Sequence, residues 1–262
     1  MEQKTRPAGD PLALLEGARA AAKAAAGALK KRAIAKKYFK ADKELVTDAD
    51  MASTGKIFDR LGCFGYPIQS EEKNRGVSGT ARWVVDPLDG TEHFARGSPL
   101  YSVAISFAQN GQPVLGVVRA PALQKEYWGF ASGGAFCNGK KISVSLVSDL
   151  GLAAVFVHPY MKFVSSGHGR AFLRLYKALR HPRYYGSSNL ELASVACAGA
   201  DAYVKPGLKL WDVAPGAAVV RGAGGTVIDF GGKEWNCGKR NVVASNGRLD
   251  KKILELLKMG KS

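Results

Sequence analysis

Two hydrophobic periods divide this 262-residue chain, and they narrow its fold more than any other feature. Between Trp83 and Phe130 the apolar residues fall in short, strand-like runs. Trp83-Val84-Val85 is one such run and ends at Asp86. The segment 101–107 alternates, with Val103, Ile105 and Phe107 on one face. The segment 113–119 is another strand. Asn110-Gly111 lies between the two, a hairpin signal because both residues tolerate positive φ. Segments 126–130 and 142–145 extend this set. The second half behaves differently. Strands expected at 153–158, 202–204, 226–229 and 241–244 alternate with helices at 170–179, 190–198, 212–222 and 249–259. The first pattern predicts an antiparallel, hairpin-rich α+β lobe over 1–145. The second predicts an α/β layer over 146–262, with helices covering a sheet.

Ahead of these strands the chain reads as helical. Asp10-Pro11 places an N-cap and an N1 proline before an alanine-rich stretch reaching about residue 37. A second helix is expected at 51–61, with Asp50 near its start, followed by a polar, loop-rich stretch to Arg82. The N-terminal 43 residues hold 11 lysines and arginines against 4 acids, which reads most simply as a solvated helix face. No apolar run approaches the ~20 residues of a membrane span. Lys23, Lys30, Lys31 and Arg32 interrupt any signal-peptide core. The expectation is a cytoplasmic protein that does not enter membranes. Cys63, Cys137, Cys197 and Cys237 form no CxxC pair, and reduced, buried thiols are expected. The four histidines are scattered, so a histidine-based metal site or a Ser-His-Asp triad finds little support. A net charge of +16 attracts anions, whether nucleic acid, acidic membranes or phosphorylated metabolites.

Chemistry concentrates at Asp86-Pro87-Leu88-Asp89-Gly90-Thr91. Two carboxylates stand three apart directly after an apolar strand. Pro87 fixes φ and Gly90 frees the backbone, so the chain turns sharply. Such a turn can aim both carboxylates and the Leu88 carbonyl into one small space. Oxygen-only ligands suit hard cations such as Mg²⁺. The Gly90 and Thr91 amides can receive a phosphate where a helix starts. An ordinary turn explains the hexapeptide alone equally well. Three further acidic stretches accompany it: Ser70-Glu71-Glu72, Trp211-Asp212 before a helical segment, and Thr47-Asp48-Ala49-Asp50. Each has a plain reading, a solvated loop or a helix N-cap. Their joint order is what carries weight.

That ordered set resembles the inositol monophosphatase family. The first signature, a strand running into Asp-Pro-Leu-Asp-Gly-Thr and a later Phe, matches Trp83 through Phe94. The second matches Trp211-Asp212-Val213-Ala214 through Gly224-Gly225. Further agreement lies at Leu45 to Asp50, Ser70 to Glu72, Gly134 to Gly139 and Gly199 to Tyr203. Only the first ~40 residues are unmatched in detail. The resemblance implies a layered α-β-α-β-α sandwich of the sugar-phosphatase type. It further implies a dimer, and Mg²⁺-dependent (or Mn²⁺-dependent) hydrolysis of phosphate monoesters that lithium often inhibits. Carried over, Glu71, Asp86, the Leu88 carbonyl, Asp89 and Asp212 match metal ligands, and Asp50, Thr91 and Glu71 match catalytic positions. Gly90, Thr91, Asp89, Asp212 and the loop Gly186-Ser187-Ser188 match substrate contacts.

Two positions depart from the pattern. Lys205 stands where inositol-specific members typically carry an acid, and Glu191 where relatives carry Asp or Asn. Lys205 favours a substrate with a second negative group, or else points to solvent. The alternatives within this chemistry are fructose 1,6-bisphosphate, a 3'(2'),5'-bisphosphate nucleotide and, further off, histidinol phosphate. Outside it stands a basic nucleic-acid-binding protein. No motif supports that reading, and the acidic cluster would repel a phosphate backbone.

Overall fold

The computed structural model describes residues 9–31, 37–39, 45–76, 79–158 and 167–258. Helix α1 (Pro11–Lys30) starts as expected: the Asp10 side chain accepts from the Leu12 amide at 3.1 Å, and Pro11 stands in the first turn. Its buried face is mostly alanine, so it can lie close to its neighbours. Leu14, Leu15, Ala18, Ala22, Ala25 and Leu29 are all buried, while Lys23 and Lys30 stay in solvent. The helix ends earlier than its composition suggests, and residues 32–36 lie outside the described set.

A seven-stranded sheet follows: β3 (Ile68–Ser70), β4 (Ala81–Asp89), β5 (Ser102–Gln109), β6 (Gln112–Ala120), β7 (Lys125–Phe130), β8 (Ala135–Cys137) and β9 (Lys140–Ile142). Its strands run in chain order across the sheet. Every neighbouring pair is antiparallel except β3 and β4. The Asn110-Gly111 hairpin forms between β5 and β6, both residues at positive φ. A two-stranded ribbon, β1 (Lys37–Phe39) with β2 (Leu45–Thr47), precedes α2 (Asp48–Leu61). The second sheet has the order β11 (His181–Arg183), β10 (Ala154–Val157), β12 (Ala202–Lys205), β14 (Val242–Ser245), β13 (Thr226–Ile228). Strands β10, β11 and β12 are parallel, and β14 is antiparallel to both its neighbours.

Three buried clusters define the layers. Helices α1 and α2 cover one face of the first sheet, around Trp83, Ile105, Phe107 and Ile57. Helices α5 (Ser188–Ala196) and α6 (Ala214–Gly222) fill the space between the sheets, packed on both. Helices α4 (Gly167–Ala178) and α7 (Asp250–Leu257) cover the far side of the second sheet. The stack is therefore α-β-α-β-α, as the resemblance implies. The first sheet lies wholly before residue 145 and the second wholly after it, while the middle core draws on both.

Several expected elements need correction. The run 83–85 is part of a nine-residue strand, because β4 is buried along most of its length and carries no alternation to read. Strand β9 covers Lys140–Ile142 rather than 142–145. Helix α6 starts at Ala214 rather than Asp212. The C-terminal helix ends at Leu257, and Met259 lies outside the described residues. Strands β3, β8 and β11, three residues each, are too short for periodicity to show. None of the cysteines is fully buried; Cys63 is exposed and the others are half-buried, and all four thiols are free.

Candidate active site

The site forms where β4 loses register with β5. Asp86 pairs with Ala104 and Asp89 with Ser102. Three steps on β4 thus oppose two on β5, which is a bulge carrying one extra residue. The bulge and Pro87 bring Asp86 and Asp89 to the end of the strand with their side chains buried. Gly90 follows at φ 90°, a left-handed conformation, and caps the short helix α3 (Thr91–Ala95). A Cβ at Gly90 would stand 2.7 Å from the Leu100 carbonyl oxygen, so both conformation and space require glycine there.

Strand β3 delivers Glu71. It runs parallel to β4 with Ser70 opposite Val85, and the Glu71 amide donates to the Val85 carbonyl at 3.3 Å. Glu71 therefore sits beside Asp86. From the middle layer comes Asp212, in the turn before α6, its carboxylate accepting the Lys209 amide at 2.9 Å. This bond caps the turn behind Asp212 rather than the helix ahead of it. Burial pushes the Asp86 carboxyl well above its usual range, and the nearby charges of Glu71, Asp89 and Asp212 push it further. Burial likewise lifts Asp212 to about 6, against the pull of Lys205 and the Lys209 amide. The four acids expected from the sequence thus meet in one region. Among the described residues, no group of three or more Asp, Glu, His or Cys side chains is arranged so that it could hold a metal ion as it stands. What unites the four is mutual repulsion in a buried, oxygen-rich space, and that donor set fits a hard divalent cation.

Asp89 is the most heavily bonded of the group. Its carboxylate accepts from Ser187 Oγ at 2.7 Å, Asn189 N at 2.8 Å, Ser188 N at 2.9 Å and Ser102 Oγ at 3.2 Å. It thereby caps α5 from a different sheet, an anion placed on a helix N-terminus. Burial still outweighs these bonds and leaves its pKa raised.

On the other side, Asp50 occupies the third position of α2. Its Oδ2 accepts from the Thr47 amide at 2.7 Å and from Thr47 Oγ1 at 2.6 Å. That leaves Oδ1 facing Thr91, whose hydroxyl lies 3.3 Å away and also 3.0 Å from the Leu88 carbonyl. Burial raises Asp50 to about 6, opposed by the Thr47 bonds.

The family model for the inositol monophosphatase family matches residues 10–261. The chain belongs to the inositol monophosphatase family. Its relatives bear this out. A Thermotoga maritima fructose-1,6-bisphosphatase/inositol-1-monophosphatase is 33% identical over 217 residues, covering 82% of this chain and 83% of the relative. A histidinol-phosphatase from Mycobacterium tuberculosis is 34% identical over 229 residues, covering 84% and 87%. Among solved structures, the extragenic suppressor protein suhB of Bartonella henselae superposes with TM-score 0.86 at 27% identity, covering 95% of this chain and all of that one. This family member is accordingly a phosphoric monoester hydrolase, in a family generally dependent on metal ions.

Several residues at the site are not legible from sequence. Asn189 is fully buried. Its amide bonds Asp89, its side-chain Nδ2 donates to the Trp211 carbonyl at 3.1 Å, and its Oδ1 accepts from the Gly216 amide at 3.1 Å. It thus ties Asp89 to the segment bearing Asp212. Asn189 shares helix α5 with Ser188, Glu191 and Ser194, so no sequence pattern sets it apart. Ser53 Oγ donates to the Pro87 carbonyl at 2.6 Å, steadying the bulge from α2. Glu191, by contrast, is already marked in the sequence by its departure from the family pattern; it accepts the Tyr185 and Gly186 amides at 2.6 and 3.1 Å, shaping the loop before α5. Burial lifts it to about 7.

Proposed function

We propose that this family member hydrolyses a small phosphate monoester with Mg²⁺, or Mn²⁺, held by Glu71, Asp86, the Leu88 carbonyl, Asp89 and Asp212. The observation that carries the reading is the electrostatic state of Asp86. Its carboxyl is raised first by burial and then by three neighbouring acids, an arrangement costly without a cation. When bound, the ions supply positive charge to the phosphoryl oxygens, the leaving oxygen and the attacking water.

The chain's own residues do the rest. Thr91 and Asp50 orient the attacking water: the Thr91 hydroxyl is positioned by Leu88 and Asp50. A carboxyl near 6 can take a proton around neutral pH. The first-turn amides at Gly90 and Thr91 face outward from the start of α3, where intrahelical partners are lacking, and cradle the phosphate. The loop Gly186-Ser187-Ser188 and Lys205 line the far side. In-line displacement needs little beyond such positioning and charge. The family resemblance also supports a homodimer, lithium inhibition and a cytoplasmic location. Among the described residues no helix is long and apolar enough to cross a membrane.

The experiment is phosphate release from a metabolite panel with Mg²⁺, with Mn²⁺ and in EDTA. Activity with either metal and none in EDTA is expected. Full activity in rigorously metal-free protein overturns the ligand assignment.

A further inference from the structure

Helix α1 carries two glycines, Gly17 and Gly27, and only the first has a packing reason. A Cβ at Gly17 would stand 2.4 Å from the Phe64 ring, whereas a Cβ at Gly27 would meet nothing within 4 Å. Gly27 is also not at positive φ. Glycine inside a helix is destabilising relative to alanine, and alanine fills most of the neighbouring positions. The space over Gly27 is a groove of about 510 Å³ between α1 and the turn joining β6 to β7, a volume typical of small-molecule sites. None of the residues of the catalytic cluster lines it.

Positive charge converges on this groove from two sides. Lys23 and Lys30 line it from α1, about one turn before and after Gly27 and on the same helix face. Arg119 at the end of β6 and Lys125 at the start of β7 line it from the sheet. Glu126 is the one carboxylate among the lining residues, and it is already engaged. Its Oε1 accepts from Arg119 at 2.9 Å and its Oε2 from Arg19 at 2.7 Å. Among the described residues, Lys23, Lys30 and Lys125 pair with no carboxylate. Each of these ammonium groups carries three N–H donors. The sheet-side wall is held in place: the Asn138 side chain donates to the Gln124 carbonyl at 3.0 Å and accepts the Glu126 amide at 2.9 Å. Ala26, Ala120 and Pro121 add an apolar floor. Cations on facing walls of a concavity fit a compact polyanion, where an extended one needs a continuous basic stripe.

We propose that this groove binds a small organic polyphosphate, of the size and charge of a nucleoside triphosphate, at a site separate from the phosphatase centre. The three lysines donate charge-assisted hydrogen bonds to the phosphates, and the organic half lies on Ala26, Gly27 and Pro121. The missing side chain at Gly27 is what admits it. Helix stability is given up there for access to the groove.

Titration calorimetry with ATP in EDTA tests it. Without a metal the catalytic acids have no counter-ion, so the phosphatase centre repels the probe. Wild type is expected to bind one ATP per chain and to ignore adenosine. Lys23→Met combined with Lys30→Met should weaken ATP binding by about 10-fold or more, the scale of one lost charge-assisted bond. A charge-matched control, Lys177→Met with Lys251→Met on exposed positions of α4 and α7, should change it by less than about 3-fold. Gly27→Leu keeps every charge, fills the groove and improves helix propensity. It should melt at or above wild type without ATP, yet lose ATP binding by about 10-fold or more. Unchanged ATP binding in Gly27→Leu, equal losses in the two lysine pairs, or no binding by wild type each overturns the proposal. Displacement of ATP by a single-stranded RNA whose own affinity Gly27→Leu leaves unchanged also overturns it, and makes this face a surface for extended polyanions.

Discussion

Asp89 combines two demands on one carboxylate. It is placed to hold a cation, and it already accepts four hydrogen bonds, two of them from the first amides of α5. Replacing it by asparagine relieves repulsion among the acids. The same change turns one acceptor oxygen into a donor that faces other donors, which costs about 1–3 kcal/mol. The second effect outweighs the first, because the bonded oxygens are buried and water cannot replace them. Asp89→Asn is therefore expected to fold, to melt several degrees lower in EDTA, and to lose turnover by more than about 100-fold. A melting point at or above wild type would show that repulsion dominates at this residue. Thr91 makes a cleaner separation. Its hydroxyl meets Asp50 and the Leu88 carbonyl. Thr91→Ala should reduce kcat by roughly 100-fold, a usual size for removing a proton-handling group, with metal affinity changed little. If metal binding collapsed while kcat at saturating metal stayed normal, Thr91 would be a support for the Leu88 carbonyl instead.

At the scale of elements, the site depends on how closely α6 approaches the first sheet. Gly116 in β6 faces Pro215 near the start of α6, and a Cβ there would stand 2.0 Å from the Pro215 carbonyl oxygen. Backbone cannot yield as a flexible side chain can, so Gly116→Ala must push α6 outward. Overpacking of this kind costs about 1–3 kcal/mol, occasionally more, and the upper end is expected here. Asp212 lies in the turn leading into α6, so the same displacement should weaken Mg²⁺ activation although Gly116 touches no site residue. Urea unfolding and a Mg²⁺ titration of activity check the two halves. A variant with normal stability and normal Mg²⁺ dependence would mean that the helix does not set the position of Asp212.

For the whole molecule, the buried acids make stability depend on pH in a definite direction. Asp50 and Asp212 lie near 6 in the folded state against 3.8 for the free side chain, and Glu191 near 7 against 4.5. The folded chain therefore binds more protons than the unfolded chain between about pH 4 and 7, and stability falls as pH rises through that window. His158 acts oppositely, lowered from 6.5 to about 4, but one histidine opposes three acids with shifts of similar size. In EDTA the melting temperature should drop from pH 5 to pH 8. Mg²⁺ should restore it at pH 8 and do less at pH 5, where protons compete for the same oxygens. A metal-free melting temperature that rises across this range contradicts the assignment of these acids as buried and uncompensated.

The sequence by itself determined more of the site than of its surroundings. Asp86, Asp89, Gly90 and Thr91 are legible because the local turn chemistry comes in a fixed order with the acids at Asp50, Glu71 and Asp212; the hexapeptide alone reads equally well as an ordinary turn. The hairpin at Asn110-Gly111 and the alternation of the second half are legible from local pattern alone. The element ends are not. Strand β4 runs past the visible apolar triplet because burial on both faces erases alternation, and β3, β8 and β11 are too short to show a period. Only the tertiary structure decided how distant parts meet. Ser188 and Asn189 close on Asp89 from about a hundred residues away. Glu71 stands beside Asp86 because β3 happens to run parallel to β4. Lys205 turns toward Ser188 and His158 rather than to bulk solvent. Such contacts depend on strand order and layer packing, which are set by the burial of whole sheets and helices. No window of sequence carries that information.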